Sequence, residues 1–211
     1  MKLIETKNLI IDWITKYASE SKIKTLVVGI SGGIDSALTS TLCAETGLNI
    51  IIVSMPIHQN YTQLQNANLH AKWLLSSYKN VDFETIELTS LFDQFKSTIP
   101  LNFHSELSLA NTRARLRMTT LYQISGYKNG LVVGTGNQIE DFGIGFFTKY
   151  GDGGIDISPI ADLNKSEVNK LAKYCGIDES ILNTPPTDGL WLDGRTDEDQ
   201  IGATYKELEW A

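Results

Sequence analysis

The stretch TLVVGISGGIDS, residues 25–36, constrains this chain more than any other part of it. A short β-branched run reads as a buried strand and stops at an adjacent glycine pair. Apolar positions from Ile34 to Thr46 predict a helix closed by Gly47, and NIIIVSMP from Asn49 is a second apolar strand stopped by Pro56. Strand, glycine turn, helix and strand make a βαβ unit, so the two strands are expected to be parallel with a right-handed crossover.

The alternation continues along the chain. Leu3, Leu9, Ile10, Trp13, Ile14 and Tyr17 recur at helical spacing ahead of the first strand. Helices are predicted over 61–78 and 106–125, with a strand near 81–88 between them. LVVGTGN at 131–137 is another strand running into a glycine turn. The glycine-rich, aromatic stretch 142–159 reads as a long functional loop. A short helix over 165–174 follows, then the structure-breaking TPPTDGLW. One last helix is expected in RTDEDQIGATYKELEW, with Thr196 as its N-cap. This pattern predicts a single α/β domain over 1–211, a doubly wound, mostly parallel sheet with helices on both faces. Ligands of such sheets bind beyond the carboxyl ends of the strands, where both glycine turns fall.

Composition removes several functions. Lysine and arginine total 18 against 25 acids, a net charge of −7, so no field attracts a nucleic-acid backbone. The N-terminus lacks a signal-peptide core, and no apolar run approaches the ~20 residues of a membrane span, which points to the cytoplasm. Cys43 and Cys175 stand far apart without a CxxC or a nearby His pattern, and both read as buried small apolar residues.

The turn itself lacks GxxxxGK[ST] and GxGxxG, so it is neither a Walker A loop nor the dinucleotide fingerprint. What remains is SGGxDS between a strand and a helix. Its glycines let backbone approach an anion, the helix start offers free N–H groups, and Ser31 and Ser36 offer hydroxyls. A carboxylate at Asp35 would repel phosphate unless a divalent cation lay between them, which implies Mg²⁺. The alternative for Asp35 is stabilisation of the helix N-terminus.

SGGIDS after a hydrophobic strand resembles the pyrophosphatase loop of the N-type ATP pyrophosphatases. NTRARLRM at 111–118, VVGTGNQIE at 132–140, GFFTKYGDGGIDISPIADLNKSEV at 145–168, PPTDGLW at 185–191 and DEDQIGATYKEL at 197–208 resemble the ammonia-dependent NAD synthetase family. The resemblance implies a homodimeric, AMP-forming ligase that amidates deamido-NAD with ammonia at the expense of ATP. It implies that Gly29, Ile30, Ser31, Gly32, Gly33, Ile34, Asp35 and Ser36 hold the ATP phosphates, with Thr135, Lys165 and Thr187 also on ATP. Asp35 and Glu140 would bind Mg²⁺, and Arg115, Lys149 and Asp156 would bind deamido-NAD. No side-chain nucleophile is called for, because ATP activates the carboxylate. The helix over 106–125 is expected to form part of the dimer surface.

Two departures accompany the resemblance. The family usually continues into a C-terminal tail carrying a His-Lys pair, whereas this sequence reads to Ala211, and the segment from Glu140 to Lys149 is one residue longer than the usual spacing. A ligase of the same fold acting on another carboxylate, such as a sugar or cell-surface precursor, is therefore the first rival. A tRNA-modifying thiolase would bring catalytic cysteines and a basic surface. A non-catalytic nucleotide-binding module would have less use for two placed carboxylates.

Overall fold

The computed structural model describes residues 1–187, 189–191 and 194–211. Strands β1 (Thr25–Gly29), β2 (Asn49–Ser54), β3 (Val81–Thr85) and β4 (Gly130–Val133) form a sheet in the order β3-β2-β1-β4. Every pairing is parallel, with Val27 opposite both Ile51 and Val132. The chain builds outward from β1 to β2 and β3, then crosses back to lay β4 on the other side. The carboxyl ends of β1 and β4 therefore flank the switch point, where open parallel sheets bind their ligands.

Both faces of the sheet are covered, which is why β1 and β2 read as continuous apolar runs. Leu26, Val28, Ile50 and Ile52 point into a core shared with α1 (Leu3–Glu20), α2 (Ile34–Glu45), α3 (Tyr61–Ser77) and α6 (Lys165–Tyr174). Val27, Ile51, Val53 and Val132 point the other way, against Phe92 of α4 (Thr89–Thr98) and Met118 and Leu121 of α5 (Glu106–Lys128). Helix α2 is buried from Ser36 to Ala44, and its Ala, Ser and Thr side chains let neighbouring helices approach closely. Among the described residues, no helix is long and apolar enough to cross a membrane.

Several expectations needed correction. Strand β3 ends at Thr85, and Leu88 instead precedes α4, a helix the sequence reading did not assign. Only Phe92 of α4 is buried, so its helical period carried little signal. Helix α1 buries Ile10, Ile14 and Ala18, while Leu9, Trp13 and Tyr17 face solvent. The last helix is two short ones, α8 (Asp197–Ile201) and α9 (Tyr205–Trp210), preceded by the still shorter α7 (Glu179–Leu182). Gly202 at φ 80° ends α8, and the Thr204 side chain caps α9. Thr196 does cap α8, accepting from the Asp199 amide. Cys43 is buried, but Cys175 is only partly so. Of the structure-breaking TPPTDGLW stretch, Asp188 lies outside the described residues.

Candidate active site

The turn after β1 is held by its own serines. The Ser31 amide donates to Ser36 Oγ at 3.2 Å, Ser36 Oγ donates to the Gly33 carbonyl at 3.0 Å, and the Gly33 amide donates to Ser31 Oγ at 3.2 Å. Gly32 sits at φ +89°, and a Cβ there would come within 2.2 Å of the Gln63 carbonyl oxygen. The position thus needs glycine twice over, for its dihedral and for the close approach of α3. The turn delivers the start of α2, with its free N–H groups, to the mouth of a cavity of about 410 Å³. That size is ordinary for a small-molecule site.

Gly29, Ile30, Ser31, Gly33, Ile34, Asp35, Ser36, Thr135, Lys165, Thr187 and Glu140 all line this cavity, and Gly32 supports it from behind. Its centre is charged. Lys165 Nζ donates to Asp35 Oδ2 at 2.6 Å and to Glu140 Oε1 at 2.8 Å, and Lys165 is almost fully buried. The ammonium is held charged: burial opposes it, but the two carboxylates raise its pKa well above the usual lysine range. Burial pushes the Asp35 carboxyl up, and the Lys165 charge offsets part of that push. For Glu140, Lys165 and the hydrogen bonds of Tyr205 and Asn137 outweigh burial and hold the carboxyl below its usual range.

Asn137 is fully buried and organises the site from the second glycine turn. Its Oδ1 accepts from the Ile139 and Glu140 amides at 3.1 Å, and its Nδ2 donates to Asp35 Oδ1 at 3.2 Å. The helix it caps, Gln138–Ile144, is a single wide π-type turn. Irregular helical turns of this kind are frequent at functional sites. Asp141 packs its carboxylate against Gly136, where a Cβ would stand 1.8 Å from Oδ2. Burial, followed by the charges of Asp152, Glu140 and Asp35, pushes the Asp141 carboxyl up to about 7.

A carboxylate pair from two elements, already converging on one buried cation, fits a hard divalent ion. Among the described residues no three His, Cys, Asp or Glu side chains gather into a metal site. The protein would thus supply two oxygens and leave the rest to phosphates and water, the usual arrangement for Mg²⁺.

Arg115, Lys149 and Asp156 do not line this cavity. Arg115 Nε donates to the Lys149 carbonyl at 3.0 Å on the outer face of α5, and Lys149 lies over the Tyr150 ring. Asp156 accepts from the Val132 amide at 2.7 Å and from Tyr122 Oη at 3.0 Å. All three residues are exposed, Arg115 and Lys149 in contact with each other and Asp156 against β4.

Four other residues at or beside the site were given no role by the sequence, Arg113 lining the neighbouring cavity and Arg117 this one. Arg113 and Arg117, four residues apart and so on one face of α5, turn inward: Arg113 donates to the Leu190 carbonyl and Arg117 Nε to the Met55 carbonyl at 2.9 Å. Arginines at 113, 115 and 117 cannot share one helix face, and it is the 113/117 pair that turns inward while Arg115 stays outside. Asn137 was visible only as part of a motif, and Tyr205, which donates to Glu140 Oε1, only as part of the last helix.

The fold, the phosphate-sized turn and the paired carboxylates define an α/β protein of the ATP pyrophosphatase type. A family model described as NAD synthase matches residues 6–210. The NH(3)-dependent NAD(+) synthetase of Methanococcoides burtonii is 39% identical over 213 residues, spanning 99% of this chain and 78% of that protein. Among solved structures, NMN synthetase from Francisella tularensis superposes with a TM-score of 0.92 at 33% identity, covering 99% of this chain and 85% of that one. NH3-dependent NAD synthetase from Campylobacter jejuni gives 0.79 at 35% identity, covering 86% and 77%. The chain belongs to the NAD synthase family.

Proposed function

We propose that this chain is an AMP-forming amide ligase that converts the nicotinate carboxylate of deamido-NAD to the amide of NAD, using ATP and ammonia. The observation that carries this reading is the Asp35–Lys165–Glu140 cluster set directly over the phosphate turn in a member of the NAD synthase family. The N–H groups at the start of α2 and the hydroxyls of Ser31 and Ser36 hold the β and γ phosphates. Thr135, Thr187 and Lys165 complete the ATP contacts. The nicotinate carboxylate oxygen attacks the α phosphorus, the bond to the β-phosphate oxygen breaks, and pyrophosphate stays in the cradle. Ammonia then attacks the mixed anhydride carbon, AMP leaves with the C–O bond electrons, and the amine gives up a proton. Mg²⁺, held by Asp35 and Glu140, would supply charge neutralisation on the departing pyrophosphate. Residues 1–211 work as one domain, with ammonia as the nitrogen donor.

A second reading keeps the chemistry and shortens the substrate. The Francisella structure named NMN synthetase superposes at 0.92, against 0.79 for the Campylobacter NAD synthetase. The acid would then be nicotinate mononucleotide, which lacks the adenylate half of deamido-NAD. Steady-state kinetics on both acids decides: the first reading expects kcat/KM for deamido-NAD to be the larger by at least about tenfold, ~1.4 kcal/mol of transition-state binding to the second nucleotide. The reverse ratio selects the mononucleotide, and no AMP from either acid rejects both readings.

We place a homodimer interface on α4 and α5. Leu91 and Phe95 of α4, Leu101 and Phe103 of the short turn after it, and Leu107 of α5 are all exposed on consecutive segments, Leu101 by 83%. Apolar groups gathered in this way mark interaction surfaces. Arg115, on the outer face of α5, would then lie near the partner subunit. Sedimentation should find a dimer for the wild type and a monomer for the Leu101→Asp, Phe103→Asp double variant; unchanged mass in the variant would move the interface elsewhere.

A further inference from the structure

Tyr205 lies near the end of the chain, on a helix that contributes nothing else to the charged cluster, yet it is only 8% exposed. Its hydroxyl donates to Glu140 Oε1, the oxygen that also receives Lys165. Its ring lies under the Lys165 ammonium, 5.0 Å from Nζ to the ring centroid, and Asp197 Oδ2 stands 3.3 Å from its hydroxyl oxygen. A phenol has one proton to give, and the shorter contact takes it. The residue is held in place by several independent anchors. The Tyr205 amide donates to Glu198 Oε1 at 2.7 Å, Thr204 caps the helix, and Glu209 Oε1 accepts from the Ser166 amide at 2.7 Å, tying α9 to the first turn of α6.

We propose that Tyr205 is a positioning residue: through its hydroxyl it orients the Glu140 carboxylate for the divalent cation. Glu140 stands on a π-type turn, and the side chains of Lys165 and Tyr205 that hydrogen-bond its carboxylate both come from outside that turn. Hydrogen-bond partners of metal ligands commonly account for 10–100-fold in metal affinity. The proposal rests on the reading of Asp35 and Glu140 as the metal pair, but not on which acid is amidated.

The test uses Mn²⁺ in place of Mg²⁺ and reads free Mn²⁺ by electron paramagnetic resonance, with ATP present and no acid substrate. Tyr205→Phe keeps the ring under Lys165 and removes only the hydroxyl. It should weaken Mn²⁺ binding at least about tenfold and raise the Mg²⁺ concentration for half-maximal activity by a similar factor, while kcat at saturating Mg²⁺ stays within about threefold. Glu209→Ala removes one of the other anchors of α9 and should leave Mn²⁺ affinity within about twofold. Unchanged Mn²⁺ affinity in Tyr205→Phe overturns the proposal, as does an equal loss in Glu209→Ala, which would trace the effect to undocking of the helix. If the wild type with ATP takes up no Mn²⁺, the metal reading fails first, an outcome distinct from either.

Discussion

Replacing Asp35 with alanine should abolish AMP formation and leave the fold standing. The charge count explains both halves. Asp35, Glu140 and Lys165 together carry two negative charges and one positive, and the substitution leaves Lys165 paired with Glu140 alone, 2.8 Å away. A buried ion pair with its partner intact does not incur the penalty of an orphaned charge. Asn137 loses one acceptor but keeps its capping bonds to the Ile139 and Glu140 amides. What disappears is one of the two oxygens that would hold the cation over the phosphates. Such an ion contributes several kcal/mol to the transition state, so the rate of adenylylation should fall roughly a thousandfold or more. Chromatographic measurement of AMP, alongside circular dichroism, checks both expectations. Activity above about a tenth of wild type, a barrier change under ~1.4 kcal/mol, would remove Asp35 from the metal pair.

The parts of this protein that were legible in its sequence are those where one local rule acts alone. The strand, glycine turn and helix around Gly32 were readable because a buried apolar strand, a left-handed glycine and a helix start leave little choice. Helix α6 was bounded correctly because Asn164 starts it and Gly176, at φ +79°, stops it. Legibility fails where the deciding partner is remote in sequence. Helix α4 buries Phe92 and little else, so its place is set by α5 and β2 rather than by its own period. The turn at Gln138–Ile144 looks like loop in a glycine-rich stretch, because a π-type turn has no distinctive residue pattern. Lys165 could be matched to a family position, but its contact with Asp35 spans 130 residues and only the fold reveals it. Tyr205 and Glu140 meet across 65 residues, at a distance no spacing rule reaches.

Lys165→Met inverts the charge argument made for Asp35. Methionine nearly matches lysine in length and keeps contact with the Tyr205 ring, but it leaves the Asp35 and Glu140 carboxylates facing one another without a cation. Removing one member of a buried ionic cluster typically costs about 3 kcal/mol or more. In a chain of this size that corresponds to a fall in Tm of roughly 6 to 12 °C. The wild type already has a buried ammonium between the carboxylates, so Mg²⁺ alone should shift its Tm by no more than about 2 °C. In the variant the same two oxygens are free to take the ion. Mg²⁺ at about a hundred times its Kd would return ~2.7 kcal/mol, most of what the substitution removed. Ligase activity should remain lost even when Mg²⁺ restores the Tm, because the lysine charge on the ATP phosphates is not replaced. Thermal melts of both proteins across a Mg²⁺ titration, with Ca²⁺ and K⁺ as controls, separate the alternatives. A variant that melts like the wild type and ignores Mg²⁺ would mean that the two carboxylates do not share a cation site. A variant rescued equally by K⁺ would reduce the effect to screening.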